Sequence, residues 1–549
     1  MSKIVRGTML LTMATFLSRF LGMIYVIPFN ELVGAQGGAL YYYAYNSYNI
    51  MLSVAVVGVP TAMSKFVSKY NSLGDYRTSM RMLRTSMFIM GATGLICFLA
   101  LFFGSDFLAQ IIITDGDQHG NTVTDVKNVI QMVSFALLLI PAMSVVRGFF
   151  QGNQSMGPTA VSQVIEQVIR IIFVLGSVFL IIKVYDGSIG LAVGFATFAT
   201  FIGALASCGV LWIYWRKRRA NIEKEVHQQT FDSHISTKSM IIELFQYAGP
   251  FILVGIATPL YQAVDTFTFN SAMRSIGNSQ EMADLALTTI NLYGHKLIII
   301  PVTIATGLSL SILPALTKSF TQQNRDLLFQ QIRQALQIVL VLVVPAVVGL
   351  TVLSNEAYGS IFGMHEISYT GSLLAWYAPI ALLFALFTVS SSILQGINEQ
   401  RFSVVSLFAG FLVKLLFNTV LIQTFGAKGS IIATGLAVGT AVVLNFWRAK
   451  VSVNFSFKQT LKRALLIIIL STIMAVSVLC VKFIFAPFLP YGESRFAALV
   501  MLVIGVGVGA TVYLWFAYKS TLLERTFGDK VRPDEIVKRI KQFVSKFRR

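Results

Sequence analysis

Four cationic side chains stand where hydrocarbon should forbid them: Arg19, Arg170, Lys296 and Lys414 each lie inside a long apolar stretch. At the centre of a membrane helix each costs about 2.5 to 3.5 kcal/mol even on a lenient insertion scale, so four facing lipid would cost roughly 10 kcal/mol or more. They are therefore expected to face one shared, watery cavity. Glu166 and Asp265 accompany them, and the six together keep an excess of two positive charges. A cavity of that sign suits an anion, above all a phosphate or pyrophosphate group. The competing expectation is of structural pairs, Glu166 with Arg170 at i,i+4 on one helix face and Asp265 with Lys414. That alternative leaves Arg19 and Lys296 without partners. A fifth intramembrane cation, Arg147, sits near a span end, where its stem can carry the charge to the interface.

The elements that must position these residues are membrane helices. The chain of 549 residues is 55% hydrophobic and only 12% charged, with a mean hydropathy of +0.71, which a water-soluble protein could not carry without large exposed apolar patches. About fourteen apolar stretches, each near the 20 residues a helix needs to cross the bilayer, lie between residues 8 and 517. The first, 8-28, lacks a small-x-small cleavage site and is expected to stay as a helix. Cys97, Cys208 and Cys480 fall within expected spans, so no disulfide framework or Cys-rich metal site is indicated.

A net charge of +19 raises the question of nucleic acid, but its distribution answers otherwise. The heavy clusters, Lys65 to Arg84, Arg216-Lys217-Arg218-Arg219, Arg448 to Arg463 and the tail after Tyr518, all fall on one set of alternate loops. By the positive-inside rule that set is cytoplasmic, with both termini on the same side. The expected location is the cell (cytoplasmic) membrane, multi-pass.

An internal repeat organises the chain. At a shift of 244, Phe150-Gln151-Gly152 with Ser162 and Arg170 overlays Leu394-Gln395-Gly396 with Ser406 and Lys414. At a shift of 249, Gly58, Lys69 and Arg84 overlay Gly307, Lys318 and Arg333. The expected fold is all-α: two six-helix lobes, 1-215 and 240-448, related by a pseudo-twofold along the membrane normal. A basic cytoplasmic linker, 216-239, joins them; helices 13 and 14 occupy 449-520, and a basic amphipathic tail 521-549.

Other features weigh less. Tyr41, Tyr42, Tyr43, Tyr45 and Tyr48 open the second span and read as interfacial aromatics, with sugar stacking as the alternative. Pro60, Pro301, Pro314 and Gly307 are expected to kink spans two and eight. The five histidines show no ligand spacing, and there is no phosphate-cradling Walker pattern, so neither a metal, nor a cofactor, nor ATP hydrolysis is expected.

The residues Arg6-Gly7-Thr8, Ser18-Arg19-Phe20-Leu21-Gly22-Met23, Gly58-Val59-Pro60, Ser64-Lys65-Phe66-Val67-Ser68-Lys69-Tyr70 and Val146-Arg147-Gly148-Phe149-Phe150-Gln151-Gly152 resemble the MurJ-type lipid II flippases of Gram-positive bacteria. These form part of the polysaccharide-transport branch of the multidrug/oligosaccharidyl-lipid/polysaccharide exporter superfamily. The resemblance implies alternating access, a cationic cavity for the pyrophosphate of an undecaprenyl-linked cell-wall precursor, and a groove for its tail at spans thirteen and fourteen. Arg19 and Lys296 match the family's cations of spans one and eight. Tyr25 stands where a second arginine is often found, a charge that Arg170 and Lys414 are expected to supply. Asp265 resembles an acid of a sodium site, yet Lys414 falls where that site wants an oxygen, so the ammonium is expected to replace the ion. The implied partners are the lipid-linked saccharide, membrane lipids and cell-wall synthesis proteins, with no nucleic acid, and the chain is expected to act as a monomer rather than as an enzyme. Three alternatives stay open: a flippase for another lipid-linked polysaccharide, a cation-coupled multidrug exporter, and a membrane glycosyltransferase.

Overall fold

A computed structural model describes residues 3–56, 58–113, 121–227, 236, 238–244 and 257–527. Linker residues 228–235 and 237, residues 245–256 of expected span seven and residues 528–549 of the expected tail lie outside the described residues, whereas the start of the expected linker, 216–227, continues a helix. Every regular element among the described residues is helical. Among the described residues eleven helices are long and apolar enough to cross a membrane, or twelve with one bent pair.

In chain order the helices are α1 (Lys3–Ile24), α2 (Val26–Val56), α3 (Val59–Ser72), α4 (Tyr76–Phe103), α5 (Ser105–Ile112), α6 (Val123–Ser134), α7 (Ile140–Gly152), α8 (Met156–Phe179) and α9 (Ile189–His227). There follow α10 (Ala257–Ser275), α11 (Gln280–Thr288), α12 (His295–Thr321), α13 (Arg325–Val352), α14 (Ser354–Phe362), α15 (Ile367–Tyr377) and α16 (Ile380–Gly396). The last are α17 (Gln400–Phe425), α18 (Ala427–Val453), α19 (Lys458–Phe485), α20 (Arg495–Lys519) and α21 (Leu522–Phe527). The bent pair is α1 and α2, which meet at 41°. Within α2 the chain turns again at Gly34, whose φ of 64° a side chain would strain. Pro60 sits in the first turn of α3, where its missing N–H leaves no helical bond unmade. Pro301, Gly307 and Pro314, expected to interrupt span eight, lie instead within the continuous α12.

Two compact units emerge, 1–292 with 414–430, and 293–413 with 431–549. They are units of packing, whereas the lobes above were drawn from sequence similarity. In the first unit α1 lies on α8: Thr15 donates to Gln163 Oε1 at 3.3 Å and Ser18 to the Gln163 carbonyl at 3.4 Å. Met63, Phe66, Met82, Leu83 and Phe149 form a core joining α3, α4 and α7. In the second unit α19 and α20 pack on α13 through Leu340, Val344, Ile467, Leu470 and Met474, and the Tyr513 hydroxyl donates to the Val341 carbonyl at 2.9 Å.

The repeat seen in the sequence recurs in the local geometry of each unit. A Cβ on Gly152 would meet the Val67 Cβ at 2.6 Å, and a Cβ on Gly396 would meet the Leu316 Cβ at 2.6 Å. The turns that follow have left-handed residues at matching positions, Gln154 and Asn398. Likewise Asp75 caps α4 by accepting from the Thr78 N–H, and Asn324 caps α13 by accepting from the Leu327 N–H. Small residues at the helix crossing and cap residues at the turns are what the repeat preserves.

Candidate substrate site

Arg19 and Arg170 belong to the first unit. On α1 the packed positions are Ala14 and Ser18, with Tyr25 in the turn that follows, while Met13, Phe16, Leu17 and Phe20 form an exposed apolar flank. At about 100° per residue, Arg19 projects between those two faces, roughly 100° from each. It is exposed and has no ion-pair partner among the described residues.

Arg170, on α8, is held differently. Its guanidinium lies 5.8 Å from the Tyr25 ring centroid and 5.4 Å from that of Tyr45, and Nη2 donates to the Tyr25 hydroxyl at 3.3 Å. The Tyr25 and Tyr41 hydroxyls share a 2.7 Å hydrogen bond, Tyr41 stacks on Tyr45 at 4.4 Å, and the Tyr45 hydroxyl bonds to Thr200 of α9. The charge thus sits against aromatic faces instead of a carboxylate, and its buried Nε has no hydrogen-bond partner among the described residues. Arg170 thus reaches from α8 to the hydroxyl of Tyr25.

Glu166 does not pair with Arg170. It accepts from Arg147 Nη2 at 2.6 Å, and Arg147 also donates to Ser162 at 3.1 Å and Ser207 at 2.8 Å. Arg147 is therefore not an interfacial cation with its head in water; it ties α7, α8 and α9 together with its side chain 17% exposed. Arg170 faces α1 and α2, which leaves Glu166 to the neighbour on α7.

Lys414 meets Asp265 at 2.7 Å, each side chain 1% exposed. Asp265 also accepts from Ser430 at 2.7 Å and Asn291 at 3.3 Å. The ammonium occupies the carboxylate's open side, as a bound cation would, and does not stand open to an anion.

Lys296 belongs to the second unit and is half-buried on α12. Beside it, His295 Nδ1 and the Tyr377 hydroxyl share a 2.9 Å hydrogen bond, and Phe384 meets the imidazole edge-on at 6.0 Å.

The tyrosines at the start of span two are not an interfacial belt. Tyr41, Tyr42, Tyr43 and Tyr48 are each 3% exposed or less, because α2 is packed against helices on several sides. Tyr43 donates to Asp284 Oδ1 at 2.6 Å and accepts from Asn270 at 2.6 Å. Asp284 further accepts from Asn121 at 2.9 Å and Gln280 at 3.0 Å. This network joins α2 to α10 and α11, and the sequence reading missed it. Asp284 lies just outside an apolar stretch, and its i,i+4 spacing to Gln280 was the one available signal. Glu356, 0% exposed and paired with Lys482 at 2.7 Å, was missed for the same reason.

Helices sufficient for a polytopic membrane protein and, among the described residues, an Arg170 guanidinium held by aromatic rings without a carboxylate define a multi-pass membrane protein with a candidate anion site. Solved structures agree on the fold. "Lipid II flippase MurJ, inward closed conformation" aligns with a TM-score of 0.67 at 16% identity, covering 94% of this chain and 99% of that one. An inward-facing multidrug resistance MATE family transporter of the MOP superfamily aligns with a TM-score of 0.65 at 14% identity, covering 79% and 94%. The family described as "Polysaccharide biosynthesis protein" matches residues 4–320, and that described as "Lipid II flippase MurJ" matches residues 283–543. The Bacillus subtilis (strain 168) protein named "Lipid II flippase MurJ" is 45% identical over 532 residues, 96% of this chain and 98% of its own length. "Stage V sporulation protein B" of the same organism is 26% identical over 463 residues, covering 80% of this chain and 81% of its own. The chain belongs to the family of the lipid II flippase MurJ, a family of transporters rather than enzymes.

Proposed function

We propose that this chain moves lipid II, an undecaprenyl-pyrophosphate-linked peptidoglycan precursor, from the inner to the outer leaflet by alternating access. The observation that carries this reading is Arg170, a guanidinium at membrane depth bounded by Tyr25 and Tyr45 with no carboxylate partner among the described residues. A planar guanidinium with an unused N–H is suited to a phosphate oxygen, and aromatic walls offer it no competing anion. Arg19 supplies a second available cation, and Lys296 is assigned to the same task by its match to the family's span-eight cation. Lys414 is assigned to bracing: its ammonium stands in for a coupling cation at Asp265, which supports a cycle without sodium. The basic loops support cytoplasmic termini. In that orientation an inside-negative potential drives negative charge outward by about 2.3 kcal/mol per charge per 100 mV. The protein acts as a monomer on a membrane-borne substrate, and the cell-wall synthesis proteins that consume the precursor are its partners.

The test is made in cells that depend on this protein for growth. Arg19→Ala or Arg170→Ala should leave lipid II trapped on the inner leaflet, measured by its accessibility to an externally added lipid II-cleaving enzyme. Normal outer-leaflet exposure with both variants would overturn the binding role. Accumulation of a different lipid-linked saccharide on depletion would replace the substrate and leave the class intact.

A further inference from the structure

We infer that a cleft between α4 and α9 is a binding site for an anionic phospholipid of the leaflet on the arginine-rich side. The cavity, of about 930 Å³, is floored by α7 and shares no lining residue with the tyrosine cage around Arg170. It is independent of which precursor the protein carries.

Its lining is divided by chemistry. Arg77, Arg81 and Arg84 recur at i, i+4 and i+7 and so lie along one face of α4, and Arg219 faces the cavity from α9. One carboxylate, Glu223, lines the same space and is engaged by Arg219 at 2.6 Å. Further along the helices the lining becomes apolar, with Leu139, Met143 and Leu211. From Arg77 to Met87 the cavity follows α4 for ten residues, roughly 15 Å along the helix axis. Basic mouth and apolar depth in one cleft match a phosphate-bearing headgroup followed by an acyl chain. Basic pockets between membrane helices on the cytoplasmic side bind anionic lipid headgroups by this means.

The cleft is also open to a lipid from the side. Met87 is 38% exposed and Trp212 58%, and Phe88, next in the chain, is 79% exposed. An amphipathic indole at the border between charged and apolar lining is the usual occupant of the headgroup level. Arg216 lies 4.9 Å over the Trp212 ring and holds a further positive charge beside the mouth without lining it. A free phosphate would use the arginines but not the apolar floor, and a zwitterionic lipid would use the floor but gain little from the arginines.

The full-length protein in detergent, titrated with phosphatidylglycerol and with phosphatidylcholine and read by native mass spectrometry, tests this. Phosphatidylglycerol should bind more tightly, and Arg81→Gln with Arg84→Gln should weaken it by roughly fivefold per arginine removed. Ala142→Phe, which fills the floor and keeps every arginine, should also weaken it, while Arg216→Gln should change it far less. Thermal unfolding of each variant separates lost binding from lost fold, and Ala142→Phe provides a second route if the double arginine variant does not fold. Equal affinity for the two lipids, equal loss on Arg216→Gln, or inorganic phosphate competing as well as the lipid would overturn the inference. So would undecaprenyl phosphate displacing phosphatidylglycerol with the same variants affected, since the cleft would then belong to the carried lipid.

Discussion

The Lys414 ammonium lies 2.7 Å from the Asp265 carboxylate in a site where both side chains are 1% exposed. A pair so fully removed from water contributes through mutual neutralisation, and removing one member strands the other. Lys414→Met should therefore destabilise by about 3–5 kcal/mol, whereas Lys414→Met combined with Asp265→Leu should fall close to the parent. Thermal unfolding in detergent reads both. If the double variant is stable but transports nothing, the pair has a role in the cycle beyond bracing.

The same contact predicts indifference to sodium. With an ammonium already at Asp265, exchange of sodium for choline should leave translocation unchanged in vesicles at constant membrane potential. Collapse of the potential should slow it.

Arg170 should separate binding from folding. Its contacts are two aromatic faces and one 3.3 Å hydrogen bond, so Arg170→Lys should fold but lose the fork that matches phosphate. A loss of about 1.5–3 kcal/mol in substrate binding, or roughly tenfold to a hundredfold, is expected from one charge-assisted hydrogen bond. Tyr25→Phe removes only the hydroxyl partner and should have a smaller effect. Lipid II titration against each purified variant gives the comparison.

Tyr43 and Asp284 hold α2 to α11 by a 2.6 Å hydrogen bond within a buried network. Tyr43→Phe should cost about 1.5–3 kcal/mol in thermal unfolding, because a buried carboxylate loses one of its donors. Asp284→Asn keeps the shape but weakens several bonds at once, and its effect should exceed that of Tyr43→Phe. The reverse order would mean that the aspartate is protonated in the resting protein.

Gly152 and Gly396 predict matched penalties. Each faces a side chain whose Cβ lies 2.6 Å from where its own would be. Gly152→Ala and Gly396→Ala should each destabilise by about 1–3 kcal/mol through overpacking, and the sum should hold in the double variant.

Much of the fold was legible because a bilayer reduces the choices. Apolar runs of the right length can only be helices where no water satisfies the backbone, so the all-helical, multi-pass character followed from composition, while eleven or twelve spans stand among the described residues against the fourteen expected. The repeat was legible partly through Gly152 and Gly396, which sit at tight crossings; the matching left-handed turns at Gln154 and Asn398 and the caps at Asp75 and Asn324 came only with the structure. The cations were legible as costly exceptions.

Partner choice was not. Glu166 stands one turn from Arg170 in the chain, yet it turns to Arg147, and sequence spacing gives the face of a helix but not the helix that will cover it. The tyrosines of α2 looked like an interfacial girdle because five aromatics at a span end usually are one; packing from several helices buried four of them and set Tyr45, with Tyr25 just before α2, against Arg170. The sequence by itself determined that this is a membrane protein with charges to account for, since transfer energies depend on residue type and run length. Only the tertiary structure decided which charges are neutralised and which remain available, because Coulomb and hydrogen-bond energies depend on distances between residues far apart in the chain.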